Sequence, residues 1–206
     1  MSVAEQAAPI IAIPAIGQPF GGGFFTGIIK DLETGKRSLI ITAGAAHELK
    51  GAWGEYGEKI NGADSLTNSR ANTEAMAVAG SELAQQVLAL DIGGFTDWAI
   101  PARDVQELQY RHFKPTAREN WATGRDGENA NSLPVGLLYS DESPTMTVVE
   151  CFIEGQQEAF QPTWYWSSSQ RSADTAFYMI FDAGHQGYFD KSTELRVRPV
   201  RSQLID

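Results

Sequence analysis

The chain has 206 residues, with 16 Lys and Arg against 26 Asp and Glu, a formal charge of −10. A domain this acidic repels a phosphate backbone, which argues against general nucleic-acid binding. The length suffices for one large domain, or one domain with an extension, to bury a core without staples; the single cysteine, Cys151, excludes an intramolecular disulfide and a cysteine zinc cluster.

Residues 1–20 read as an extended arm interrupted by Pro14 and Pro19, and Gly21-Gly22-Gly23 as the flexible joint to a domain at 21–206. The arm either packs on a neighbouring subunit or, through Ile10 to Ile16, forms an edge strand of the same domain. Its first charge is the acidic Glu5, so it lacks the basic flank of a secretory signal. No run approaches the ~20 apolar residues of a membrane span, and no membrane insertion is expected. The expected route to the outside is cell lysis, or travel as part of a particle.

Phe24 to Ile29 and Ser38 to Thr42 form a β-hairpin around Asp31–Lys36. Residues 43–72 read as a long loop carrying Trp53 and Tyr56. A helix follows, capped by Asn72 or Thr73, with Met76, Gly80, Leu83, Val87 and Leu88 at helical spacing, and ends near Leu90. A second helix runs from about Arg103 to His112, with Val105, Leu108 and His112 on one face and Pro115 beyond its end. Residues 114–146, polar and rich in Asn, Gly, Ser and Pro, predict a long surface loop. Strands are predicted at Thr147–Ile153, Thr163–Ser167, Ala176–Asp182, Gln186–Asp190 and Leu195–Val200, with a turn at Asp182-Ala183-Gly184-His185. Cys151, inside the apolar run 148–153, reads as a small buried hydrophobe.

Catalytic signatures are weak. Gly21-Gly22-Gly23 lacks the Lys and Ser/Thr of a phosphate loop, and Ser167-Ser168-Ser169 lacks a Gly-x-Ser-x-Gly frame. Asp141-Glu142 reads as a solvated turn, with a weak calcium site as the alternative. His47, His112 and His185 fall in three separate elements, so their spacing does not favour a shared metal. No metal and no cofactor are expected.

Two stretches resemble a known family. Gly93-Gly94-Phe95-Thr96-Asp97-Trp98-Ala99-Ile100-Pro101 through Leu108 is similar to the G-x-x-D-W-x-[LI]-P-[ST]-x-x-E-L segment of the Lcl-type domains, which have a C-type-lectin-like fold. Trp164-Tyr165-Trp166-Ser167-Ser168-Ser169, with Phe181, Gly184, Lys191 and Arg196-Val197-Arg198-Pro199-Val200-Arg201, resembles that family's ending. Ala102 and Val105 depart from the motif. Ala102 removes a usual Ser/Thr helix cap, a loss of ~1 kcal/mol.

The resemblance implies an α+β, C-type-lectin-like fold, two helices on a small twisted antiparallel sheet with long loops. Gly94, Asp97, Trp98, Pro101, Phe181, Gly184, Arg196 and Arg198 would carry the structural motif, the C-terminal arginines (Arg201 included) pairing with carboxylates such as Glu107 or Asp97. Related phage-encoded members include the variable proteins of diversity-generating retroelements, whose last strands form a binding face. By that resemblance the face is Gln170 to Thr193, with Trp164, Trp166, Gln170, Arg171, Asp174, Tyr178, His185, Gln186 and Tyr188 as ligand-binding candidates and Met179, Asp182 and Phe189 alongside. Strand alternation makes Tyr178 the better exposed candidate and Met179 a packed one; His185 sits at a turn.

The implied function is non-catalytic receptor binding or host adhesion on a bacteriophage virion, at the tail or particle surface. The partners would be a host cell-surface glycan or protein, and other virion subunits through the arm, in a homo-oligomer such as a trimer. The alternatives are a structural or decoration protein of the virion, and a metal-dependent oxidase of the formylglycine-generating type, which would need a cysteine pair that one Cys cannot supply.

Overall fold

A computed structural model describes residues 13–123 and 126–205. The chain is a mixed α+β protein, with three α-helices and two five-stranded sheets among the described residues. The proposed arm falls mostly outside these residues. Within them, β1 (Pro19–Phe20) pairs antiparallel with β2 (Gly23–Lys30). Gly21 and Gly22, at φ 56° and 85°, make the turn between the two strands, where a flexible joint was expected.

The predicted hairpin is present as β2 and β3 (Arg37–Thr42), with a bulge between Phe25 and Gly27. β10 (Val200–Leu204) lies on the far side of β3, and β5 (Ser132–Leu133) pairs with β2 to complete the first sheet. The second sheet runs in the order β4 (Leu49–Ala52), β9 (Glu194–Val197), β6 (Trp164–Gln170), β7 (Thr175–Ile180), β8 (Gln186–Asp190). Its pairs are antiparallel except β6 with β9. The single strand expected at 195–200 is therefore two strands serving two sheets, divided at Arg198-Pro199. The expected single small sheet is two sheets.

The helix expected from residue 72 begins earlier and is broken. Asn68, whose side chain accepts the Ala71 N–H, caps α1 (Ser69–Val78). Gly80, at φ 95°, ends it, and Ser81 caps α2 (Glu82–Leu88). Asn72 and Thr73 are buried inside α1, where their side chains bond Ser65 and Ser69. The predicted second helix is α3 (Arg103–Phe113), but Gln106, Glu107 and Gln109 are buried in it beside Val105 and Leu108. Residues 147–153 form no strand: a 3-10 turn at Glu150–Phe152 drives Phe152 into an aromatic stack, 3.9 Å from Phe113, and leaves Cys151 half-buried.

α3 shows how the fold compensates for Ala102, which offers no side-chain cap. Ser69 Oγ accepts the Ala102 N–H at 2.8 Å, Ser169 Oγ accepts the Arg103 N–H at 3.0 Å, and the Leu66 carbonyl takes the Asp104 N–H. The orphan donors of the helix start are thus satisfied from α1, β6 and a loop. Ser169→Ala is expected to cost about 1–2 kcal/mol by leaving one partly buried donor of the helix start unmet. Chemical denaturation measures it, and a change below about 0.3 kcal/mol would show that the cap in trans is not energetically used.

Among the described residues the core has three clusters. The largest places Trp53, Trp98 and Trp166, all 0% exposed, between α1, α2 and the two sheets. A second joins Tyr110 and Phe113 of α3 to Phe152, Phe160, Tyr165, Met179 and Phe181, and a third packs α3 on the first sheet. Among the described residues no helix is long and apolar enough to cross a membrane.

Candidate functional site

The second sheet and the loop before β5 meet at β8. On one face of the sheet, ring contacts run in four steps of 4.5–6.2 Å: Trp164 to Phe189, Phe189 to Tyr178, Tyr178 to His185, and His185 to Trp121. Register puts Tyr178 and Phe189 on the same face, since Tyr178 lies opposite Gly187 and Ala176 opposite Phe189. Trp164, Phe189 and Trp121 are 43%, 36% and 50% exposed, while Tyr178 lies beneath them at 8%. Gly187 admits the Tyr178 ring, because a Cβ there would lie 2.6 Å from its hydroxyl oxygen.

The other face of β8 carries cations on aromatic rings. Arg171 lies 3.8 Å over Tyr188, and Arg103 lies 5.5 Å over Phe177 and donates to Gln186 Oε1 at 2.8 Å. The loop that brings Trp121 is clamped to the β7–β8 turn. Trp121 N–H donates to the Ala183 carbonyl, Asp126 Oδ1 accepts the Gln186 N–H, and Arg118 Nη1 donates to both carboxylate oxygens of Asp182 at 2.7 Å.

Of the candidate ligand residues, Trp164, Arg171, Asp174, His185, Gln186 and Tyr188 are exposed or partly exposed, and all but Asp174 take part in these two faces. Three are structural. Trp166 is fully buried with Nε1 donating to the Thr193 carbonyl. Gln170 is 5% exposed and clamps the Ile60 N–H and carbonyl with its amide while accepting from Lys191. Tyr178 was expected outward, but core packs on both sides of β7, so alternation does not expose it. Met179 is packed as expected, at 1%. Trp121 and Asp126 were not singled out. A tryptophan in a polar loop was the available signal for the first, and no local pattern marks the second.

The motif residues hold the frame. Asp97 takes Arg201 through two bonds of 2.7 and 3.0 Å, as expected. Arg196 and Arg198 pair with Glu48, not with Glu107 or Asp97. Trp98 Nε1 donates to the Phe95 carbonyl, Gly94 turns at φ 83°, and the Pro101 carbonyl accepts the Ser168 N–H. Gly184 lies against Tyr110, where a Cβ would come within 2.5 Å of the ring, and Phe181 is fully buried under the same residue.

The long loop lies largely on the surface, as expected, but buried polar contacts pin it to the core. Lys114, 2% exposed, donates to the carbonyls of Arg118 and Pro144 and to Asn120 Oδ1. Glu107, 1% exposed, accepts from Arg111, Asn129 and Tyr139. Burial pushes the carboxyls of Glu107 and Asp104 up, against the pull of Arg111 and of Asn131 respectively. For a carboxyl raised in the folded state, the native protein holds more protons than the unfolded chain between the two pKa values. Stability from that group is then greatest at low pH and falls as pH rises through the folded value. Glu107→Gln should therefore gain on the parent protein as pH rises from about 4 to 7. Denaturation curves across that range check this, and a difference that moved the other way would refute it.

Asp141 and Glu142 are exposed in a turn. His47 lies in a 3-10 turn at Ala45–His47, and His112 Nδ1 contacts the Thr26 carbonyl. Among the described residues no three His, Cys, Asp or Glu side chains are placed to share a metal ion. No protein-family profile matches the chain, and no curated protein sequence matches it.

Proposed function

We propose that this is a C-type-lectin-like binding domain of the Lcl type, a non-catalytic phage virion protein that attaches to a host cell-surface glycan. The observation that carries the reading is the line of rings from Trp164 to Trp121, exposed at both ends and set on the second sheet. Aromatic faces of this kind offer contact area at low entropic cost, and exposed aromatic surface marks an interaction site. The apolar C–H faces of a sugar chain stack on such rings, and His185 within the line supplies a hydrogen-bonding group, while Arg171 and Gln186 lie on the other face of β8. The two sequence motifs and the mixed α+β architecture support the fold assignment. Multiple copies on the particle, mounted through the N-terminal arm, would add avidity.

A second reading, a structural or decoration protein, draws on the loop after β5. Val135, Leu137 and Leu138 are 54–74% exposed there, while Arg111 holds the Leu137 carbonyl in place. Such a locked apolar loop suits a neighbouring virion subunit. The deciding experiment is binding of the purified protein to intact candidate host cells and to arrayed neutral oligosaccharides. Saturable binding that free oligosaccharide competes away supports the glycan reading. Binding to neither moves the assignment to the virion-subunit role.

A further inference from the structure

His185 lies within the ring line next to its Trp121 end, 5.1 Å from Trp121 and 6.2 Å from Tyr178. Its two nitrogens are in different surroundings. Nδ1 is buried, has no hydrogen-bond partner, and lies 3.7 Å from Asp126 Oδ2. No bond among the described residues occupies Nε2, and the side chain is 38% exposed, so the ring is open on the side away from Nδ1.

Asp126 is held firmly. Its side chain is 9% exposed, its Oδ1 accepts the Gln186 N–H at 3.1 Å, and its carbonyl accepts the Tyr139 N–H at 3.0 Å. Its Oδ2 is thereby left facing the imidazole. At 3.7 Å this is longer than a hydrogen bond, but the sign of the interaction is unambiguous. A lone pair on Nδ1 would point at a carboxylate and be repelled, whereas an N–H there is attracted. A neutral imidazole carries one proton, so placing it on Nδ1 leaves Nε2 as an acceptor.

We infer that Asp126 holds neutral His185 as its Nδ1–H tautomer, so that Nε2 presents a lone pair on the ring line and reads a hydrogen-bond donor on the ligand. On the glycan reading, on which this part rests, the donor is a sugar hydroxyl lying between Trp121 and Tyr178. Asp126 is then a positioning residue that sets which polarity the site accepts, without touching the ligand.

Asp126→Asn separates its two roles. The amide oxygen still accepts the Gln186 N–H, but the amide nitrogen now faces Nδ1 as a donor and reverses the tautomer, making Nε2 a donor.

The test uses the full chain labelled with nitrogen-15 histidine, at about pH 8 where a typical imidazole is neutral. Long-range proton–nitrogen correlation reads the tautomer of each of the three histidines, with His185→Phe assigning the signal. The expected result is a protonated Nδ1 in the parent and a protonated Nε2 in Asp126→Asn. A protonated Nε2 in the parent, or no change in the variant, overturns the assignment.

The second measurement titrates neutral oligosaccharides of glucose, galactose and N-acetylglucosamine, then the O-methyl ethers of the one that binds. Methylating the hydroxyl that His185 reads should weaken binding about tenfold in the parent and little in Asp126→Asn. Equal loss in both proteins, or no sensitive hydroxyl, overturns the inference while leaving glycan binding intact. No binding by any of the sugars overturns the glycan reading and the ligand half of this inference with it, whereas the tautomer result stands or falls on its own.

Discussion

Arg198→Ala will lower the stability of the fold by about 3–5 kcal/mol. The side chain is 1% exposed and every face of its guanidinium is used. It pairs with Glu48 at 2.7 Å, donates to the carbonyls of Glu158 and Ala159, and lies 4.4 Å over the ring of Phe160. Glu48 is only 10% exposed and also accepts the Tyr165 hydroxyl, so the truncation leaves a nearly buried carboxylate with the half-exposed Arg196 as its remaining cation. The cost comes from this under-compensated charge, more than from the lost attraction. In a chain of this length a loss of that size lowers Tm by roughly 10 °C. Glu48→Met combined with Arg198→Met removes both charges and should recover most of the loss. Thermal and denaturant unfolding of the parent and the two variants tests the account; Arg198→Ala within about 1 kcal/mol of the parent would contradict it.

The second large effect concerns binding. Trp164→Ala with Phe189→Ala removes one end of the ring line and should weaken attachment to host cells or oligosaccharide about 100-fold, as expected of exposed aromatic anchors. Both side chains are more than a third exposed, so the fold should lose no more than about 1–2 kcal/mol. Tyr56→Ala serves as the control, because Tyr56 is 59% exposed and takes no part in the ring line. Full binding by the double variant, or equal weakening by Tyr56→Ala, would place the contact surface elsewhere.

Elements governed by local pattern were legible before the structure. β2 and β3, α3 and β8 lie within a residue or two of their expected limits, because alternation and helical spacing persist through them. The break between α1 and α2 was also encoded locally, in Gly80 followed by Ser81, yet the continuous apolar spacing from Met76 to Val87 hid it. Residues 147–153 misled because Val148-Val149 and Phe152-Ile153 are good strand formers. Phe152 is drawn instead into a stack with Phe113 and an edge contact with Phe24, residues distant in the chain.

The candidate site divides in the same way. Trp164, Arg171 and Tyr188 could be picked as surface groups from strand position and the family ending, and they are exposed. Tyr178 could not, because alternation assumes one wet face and β7 is covered on both. Trp121 and Asp126 reach β8 only through the bonds that tie their loop to the β7–β8 turn, and no spacing rule records such a loop-to-strand contact.

By itself the sequence determined the acidic character, the absence of disulfide bonding within the chain, the α+β class and the approximate places of most strands, since these follow from composition and short-range periodicity. Tertiary structure alone decided that β9 and β10 serve separate sheets, that Glu48 rather than Glu107 receives Arg196 and Arg198, and that α3 is capped by Ser69 and Ser169. Each of those outcomes depends on which buried polar group meets which partner from a distant part of the chain. The penalty for leaving a buried donor or charge unmet selects among the possible partners, and it acts only once the chain has brought them together.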